Sequence, residues 1–148
     1  DIQAAIAHNQ FLRLDKLKQM RNINRNLIIN KLRNSKFWDN QFNFIKPSKD
    51  FDPSWMGLPI LINEKLKLKK NAFINYLDQT GIETRPIISG SFVNQPAVKL
   101  YKLNIKNEKF KVAQKVQDLG FLIGLHTSKI STRKLQLIHD TFFEIDKI

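Results

Sequence analysis

Cysteine is absent from this 148-residue chain, which excludes disulfides and thiolate metal sites within it and fits a reducing, cytoplasmic compartment. Glycine and proline are scarce, five of each, too few for a low-complexity linker protein. No apolar run reaches the roughly 20 residues of a membrane span, so no membrane partner is expected, and no signal peptide is recognisable at the start. Acidic residues are the other shortage, 13 against 25 lysines and arginines, for a net charge of +12. That balance invites a nucleic-acid-binding module as a reading. The basic residues, however, occur in every third of the chain with apolar residues and scattered acids between them, and the densest run, Lys65-Leu-Lys-Leu-Lys-Lys70, is short. A generally basic, solvated surface accounts for the charge, and nucleic-acid binding is kept as the alternative.

Phenylalanine is what the chain has in quantity: 11 residues, within a hydrophobic share of 42%. Length and composition together are enough for one domain with a real core. The opening Asp1-Ile-Gln-Ala-Ala-Ile-Ala7 is already good helix with no lead-in loop, and reads as a segment taken from a longer protein.

Apolar spacing predicts one long, bent helix over residues 1–34. Phe11, Leu14, Leu17, Ile28 and Leu32 fall on one side, with Ile2, Ile6, Met20 and Leu27 on an adjacent one. So wide an arc suits a helix covered on two flanks, as by a neighbouring domain or subunit. Residues 35–55 are irregular and rich in aromatics, which either stack nucleic-acid bases or pack a loop on the core. A strand follows over Leu58–Ile62, where Pro59 belongs at a strand start or edge. Next come a helix over Leu68–Thr80 with Phe73, Tyr76 and Leu77 inward, and a helix capped by Asn107 with Phe110, Ala113 and Val116 inward. A buried strand Phe121–Leu125 precedes a last helix capped by Ser131, with Leu135, Ile138, Phe142 and Ile145 as its stripe. The order implies a small α/β fold, a short mixed or antiparallel sheet covered by helices and preceded by the long helix.

The residues with chemistry concentrate between Gly81 and Val98, in Gly-Ile-Glu-Thr-Arg-Pro-Ile-Ile-Ser-Gly-Ser-Phe-Val-Asn-Gln-Pro-Ala-Val. Gly81 can take the left-handed conformation that ends a helix. Pro86 pushes Arg85 out of the helical region, so an extended run over 83–88 places Glu83 and Arg85 on the same side. Opposite charges beside the polar loop Ser89-Gly90-Ser91 and Asn94-Gln95-Pro96 make either a ligand-binding rim or a surface ion pair followed by an ordinary turn. Of the histidines, His8 is expected packed and hydrogen-bonded, and His139 at the surface of the last helix. His126 follows a strand end, where it either donates to a phosphate or hydroxyl or caps its loop. No metal-ligand spacing, phosphate-binding glycine loop or nucleophile–base–orienter set is present.

Four stretches in register carry a resemblance. Asp1 to Ala7 followed by Leu14-Asp-Lys-Leu17 resembles the segment that opens the C-terminal part of the DegT-type sugar aminotransferases, fold-type-I enzymes that use pyridoxal phosphate (PLP). Ser54-Trp-Met-Gly-Leu-Pro-Ile60 is similar to their Ser-Trp-Phe-Gly-Phe-Pro. Gly81 to Pro96 resembles their Gly-Ile-Glu-Thr-Arg-Pro-x-x-x-Gly-Asn-x-x-x-Gln-Pro, and Gly120 to His126 their Gly-x-x-x-Gly-x-His. The Glu-Thr-Arg-Pro version looks closest to the branch with the 3-dehydratases of 4-keto-6-deoxysugars, although Ser91 stands where that branch usually has Asn.

The resemblance implies the small two-layer C-terminal domain of a fold-type-I PLP enzyme, residues 1–34 forming an interdomain helix and 35–148 the domain proper. The PLP-binding domain would lie upstream, with the Schiff-base lysine of an aminotransferase or the histidine that replaces it in a dehydratase, so no catalytic base falls in this chain. Arg85 would pair with a carboxylate of the glutamate-derived adduct and Glu83 would orient it; Arg suits this because its planar fork meets a carboxylate with two hydrogen bonds. Ser89, Ser91, Asn94 and His126 would contact sugar hydroxyls or phosphate of a nucleotide-linked 4-keto-6-deoxysugar. The family further implies a homodimer with shared active sites, working in lipopolysaccharide or other surface-polysaccharide biosynthesis.

Overall fold

A computed structural model describes residues 2–105 and 107–148, apart from the side chains of Asn107 and Glu108. The N-terminal helix expected to be continuous is two: α1 (Ile2–Phe11) and α2 (Leu14–Arg33). Its expected start at Asp1 lies outside the described residues. The break comes at Leu12 and Arg13, where the bond from Arg13 N to Gln10 O spans three residues rather than four. No residue of α1 is buried, and Ile2, Ile6, Phe11 and Leu12 are exposed. Ten residues without tertiary packing make a marginal helix. Only the second half of the expected stripe turns inward: α2 buries Ile28, Ile29 and Leu32 in the same core as the sheet, together with Asn24. His8, on α1, is exposed rather than packed, because no element covers that helix among the described residues.

Strand β1 (Phe42–Phe44) arises inside the segment read as irregular, and β2 spans Gly57–Ile62. Aromatics of that segment pack inward on the fold: Trp38 stacks on Phe44 at 6.1 Å, and the Arg25 guanidinium lies 4.6 Å over Trp55. Helix α3 (Lys70–Gln79) follows a 3-10 turn over Glu64–Lys69. It ends as expected at Gly81, whose φ of 86° lets Ile82 N reach Leu77 O at 2.9 Å and Gly81 N reach Asp78 O at 3.0 Å.

Strand β3 is only Thr84–Arg85, not the 83–88 run the sequence suggested. Pro86 lacks the N–H that would continue a ladder, and Ile88, at φ 49°, turns the chain away. A 3-10 turn (Phe92–Asn94) and a short α4 (Pro96–Leu100) come next, the latter unforeseen although Pro96 at its first position is a helix-start signal. The following helix, α5 (Lys111–Leu119), begins later than expected, after a 3-10 turn over Asn107–Phe110. Capping by the Asn107 side chain lies outside the described residues. Phe110, expected inward, is exposed, since it belongs to that turn and not to the helix; Leu119 is the residue α5 buries.

β4 (Gly120–Gly124) leaves α5 directly, and a side chain at Gly120 would collide with the Val116 carbonyl. The last helix, α6 (Thr132–Phe142), is capped by Ser131 Oγ, which accepts from Lys134 N at 3.3 Å. His139 is not at the surface. Its side chain is 12% exposed, with Nε2 2.9 Å from Ser35 Oγ and Nδ1 2.8 Å from Asp140, because α6 packs on α2 and the ring fills the space behind the turn that ends α2.

The sheet runs β1-β2-β4-β3 and every pair is antiparallel. Leu58, Ile60, Ile62, Phe121 and Ile123 point to one face by the period of two, and α2, α3 and α6 cover it. Phe73 and Phe142 meet edge to face at 5.7 Å at the centre of this core. Pro59 sits in a central strand, yet β1 pairs only from Ile60 onward, so at Pro59 β2 has a neighbour on one side alone.

Candidate functional site

A cleft of about 570 Å³ opens where α2 and α6 face β3 and the end of β4. β3 contributes Arg85, and the residue just before that strand is Glu83; the turn after β4 contributes His126; α6 contributes Lys134. Glu83 and Arg85 project to the same side, as alternation requires, and pair with each other. Arg85 Nε and Nη2 donate to Glu83 Oε1 at 3.0 and 2.8 Å. Both donors land on one oxygen, and the side chains are 72% and 76% exposed, so the pair is solvated and its partners are exchangeable.

The His126 backbone is fixed from below. Asn24, 1% exposed on α2, donates its amide to His126 O at 3.0 Å and Ser128 O at 2.7 Å, and its Oδ1 accepts from Ile130 N at 2.9 Å. Asn24 is not among the residues that the sequence singles out. The available signal was a polar residue one helical turn before Ile28, on the side that carries the core residues.

The loop candidates lie elsewhere. Ser89 lines a second cleft of about 500 Å³, with Lys70 and Asn71 of α3 and Gln117 of α5. Arg85 borders both clefts and is the one residue that joins them among the sequence candidates. Ser91 is fully buried; its N–H donates to Gln117 Oε1 at 2.9 Å while its Oγ has no partner. Asn94 Nδ2 is engaged with Gln114 Oε1 at 2.7 Å and Gln117 Oε1 at 3.1 Å. Ser91 and Asn94 line neither cleft and instead hold the loop together. Burial holds the Lys70 ammonium below the usual lysine value, and its Nζ donates to Gln117 O at 2.7 Å, a cation at the C-terminal turn of α5.

These side chains can receive an anion and hydrogen-bond hydroxyls, and they offer no free acidic partner to the pyridinium of PLP. A pyridinium nitrogen needs an acidic or arginine partner. The first cleft's only carboxylate among the described residues, Glu83, is exposed and already paired with Arg85. No group of three or more metal-ligating side chains occurs among the described residues.

Comparison with known proteins decides the family. The model of the DegT/DnrJ/EryC1/StrS aminotransferase family matches residues 1–142. This chain belongs to that family. Within it, the lipopolysaccharide biosynthesis protein RfbH of Salmonella typhimurium is 27% identical over 93 residues, 63% of this chain and 21% of that protein. A GDP-4-keto-6-deoxymannose-3-dehydratase with a trapped PLP-glutamate geminal diamine superposes with a TM-score of 0.71 at 20% identity, over 95% of this chain and 34% of that one. Spr1654 of Streptococcus pneumoniae, in its PMP form, gives a TM-score of 0.80 at 18% identity, over 99% of this chain and 35% of that one. The chain therefore spans about a fifth of the curated relatives and about a third of the solved structures it matches. The α/β fold is shared with DegT-family PLP enzymes.

Proposed function

We propose that this chain is the substrate-facing C-terminal part of a PLP-dependent enzyme that acts on a nucleotide-linked 4-keto-6-deoxysugar for lipopolysaccharide or other surface-polysaccharide synthesis. The reaction is amino transfer from glutamate or removal of the C3 hydroxyl. PLP, held mainly by another part of the protein, supplies the electron sink. The observation that carries the reading is the convergence of Arg85, Glu83 and His126 on one cleft against α2, in a chain of the DegT family.

Each residue then has a task. The Arg85 guanidinium receives a carboxylate of glutamate, a charge-assisted contact with two parallel hydrogen bonds. Glu83, which holds that guanidinium from just before β3, keeps its plane oriented until the substrate carboxylate arrives. His126 and Ser89 border the space beside Arg85 and donate to phosphate or sugar hydroxyls. Ser91 and Asn94 serve the same sugar side through the loop they brace. In this reading α1, with its uncovered apolar residues, packs against the remainder of a cytoplasmic homodimer.

The test is a product assay. The full-length protein, loaded with PLP, is incubated with glutamate and a GDP-linked 4-keto-6-deoxyhexose, and the sugar is analysed by mass and proton spectra. A 4-amino sugar or a 3-deoxy sugar supports the proposal and separates its two branches. An unaltered sugar across nucleotide carriers rejects it.

A further inference from the structure

Gln117 has no motif around it, and nothing in the residue pattern singles it out. In the fold its side chain is the point on which the 89–95 loop turns. Its Oε1 accepts from Ser91 N at 2.9 Å and from Asn94 Nδ2 at 3.1 Å, two donors at the opposite ends of the turn that Asn94 N closes onto Ser91 O. The loop approaches so closely that a Cβ on Gly90 would lie 3.0 Å from both Cγ and Oε1 of Gln117. Gly90 itself has φ 67°, a conformation that side chains resist. Gln117 is in turn held by its backbone, through the 2.7 Å bond from the half-buried Lys70.

We infer that Gln117 is the positioning residue for the sugar side of the site: it sets the conformation in which the 89–95 loop presents Ser89 beside Arg85. This inference rests on the proposed sugar-nucleotide function. Ser89 borders the second cleft, but nothing in its own side chain fixes where it stands; its carbonyl accepts from Gln95 Nε2 at 2.5 Å, a bond internal to the loop. The loop's ties to the helical layer run through Ser91 and Asn94 to the glutamines of α5, and Gln117 receives both. Removing that acceptor strands the Ser91 N–H and leaves Asn94 only its bond to Gln114, so the loop loosens, whereas Arg85 stays on β3, which is held independently by its pairing with β4. Loop and strand therefore separate in their effects on the two substrates.

The acceptor is all that the clamp requires, so a carboxylate at the same place does the same work, and the neighbouring Lys70 favours it. The experiment compares Gln117→Ala and Gln117→Glu in the full-length PLP enzyme. The Ala variant raises KM for the nucleotide sugar about 10- to 100-fold, leaves KM for glutamate within about twofold, and frees the Ser91 amide to exchange hydrogen faster. The Glu variant returns all three readouts to near wild type. Equal shifts in both KM values, or a Glu variant as impaired as the Ala variant, overturn the positioning role. Where no nucleotide sugar is turned over at all, the functional proposal fails on its own. Ser91 exchange, slow in wild type and Glu and fast in Ala, then still supports the clamp, and equal exchange in all three refutes it.

Discussion

The amide nitrogen of Asn24, in the middle of α2, lies 2.7 Å from the carbonyl of Ser128, more than a hundred residues along the chain. With its bonds to His126 O and Ile130 N, this one side chain satisfies three backbone groups of the turn between β4 and α6. An Asn24→Leu substitution fills similar space but strands those groups, and each unsatisfied buried polar group costs about 1–3 kcal/mol. The expected loss is about 2–4 kcal/mol, lowering the midpoint of urea unfolding and speeding exchange at the Ile130 amide.

Ser91 is the opposite case, a buried hydroxyl with nothing to bond. Ser91→Ala removes only that unsatisfied oxygen, while the backbone N–H keeps its bond to Gln117. It is expected to be neutral or stabilising by up to about 1 kcal/mol. Ser91→Asn, the residue seen in the related pattern, must place a larger amide in a fully buried position and is expected to cost about 1–3 kcal/mol. Thermal unfolding of both variants checks the pair of signs.

The core makes a sharper demand. Phe73 lies 5.8 Å from Phe42, 6.0 Å from Phe121 and 5.7 Å from Phe142, ring centre to ring centre, and is fully buried. Phe73→Ala removes the ring that α3 lends to strands β1 and β4 and to α6 together. A loss of about 3–5 kcal/mol is expected, against less than about 1.5 kcal/mol for Phe73→Leu with repacking.

How far these features could be read in advance depends on how local their causes are. Gly81 and Ser131 act within a few residues, and their capping roles were legible from the sequence. The alternation that buries Leu58 and Ile60, and the placement of Glu83 with Arg85, follow from the two-residue period alone. What stayed hidden depends on distant partners. β1 exists because Phe42 and Phe44 find Ile62 and Ile60, and His139 is enclosed because Ser35 lies across from it. At the site, Gln117 holds a loop through one backbone N–H and one side-chain amide and leaves no residue-type pattern, while Asn24 left only the signal of a polar residue on the core side of α2. The burial of Ser91 was hidden for the same reason: a serine in a polar loop says nothing of whether its side chain faces solvent or core.

The Lys67–Asp118 pair sets a pH expectation. The hydrogen bond from Lys67 Nζ at 2.7 Å, with one from Gln114, holds the Asp118 carboxyl below the usual range despite some desolvation. A folded pKa below the unfolded value near 4 means the folded state releases this proton more readily. The stabilisation is therefore present above about pH 4 and is lost as pH falls through the lower folded value. Both groups are solvated, so the contribution is under about 1 kcal/mol and weakens in salt. Lys67→Met should be less stable than wild type at neutral pH and equal to it in strong acid, as measured by denaturation at a series of pH values.

The account stands or falls on Arg85 meeting the carboxylate of glutamate. The decisive measurement follows PLP absorbance in the full-length enzyme on addition of glutamate, wild type beside Arg85→Ala. The account predicts that the variant retains bound cofactor but loses the glutamate-driven change, with a fall of at least about 100-fold in kcat/KM, roughly 2.7 kcal/mol. A variant that responds to glutamate with wild-type rate and KM would contradict it.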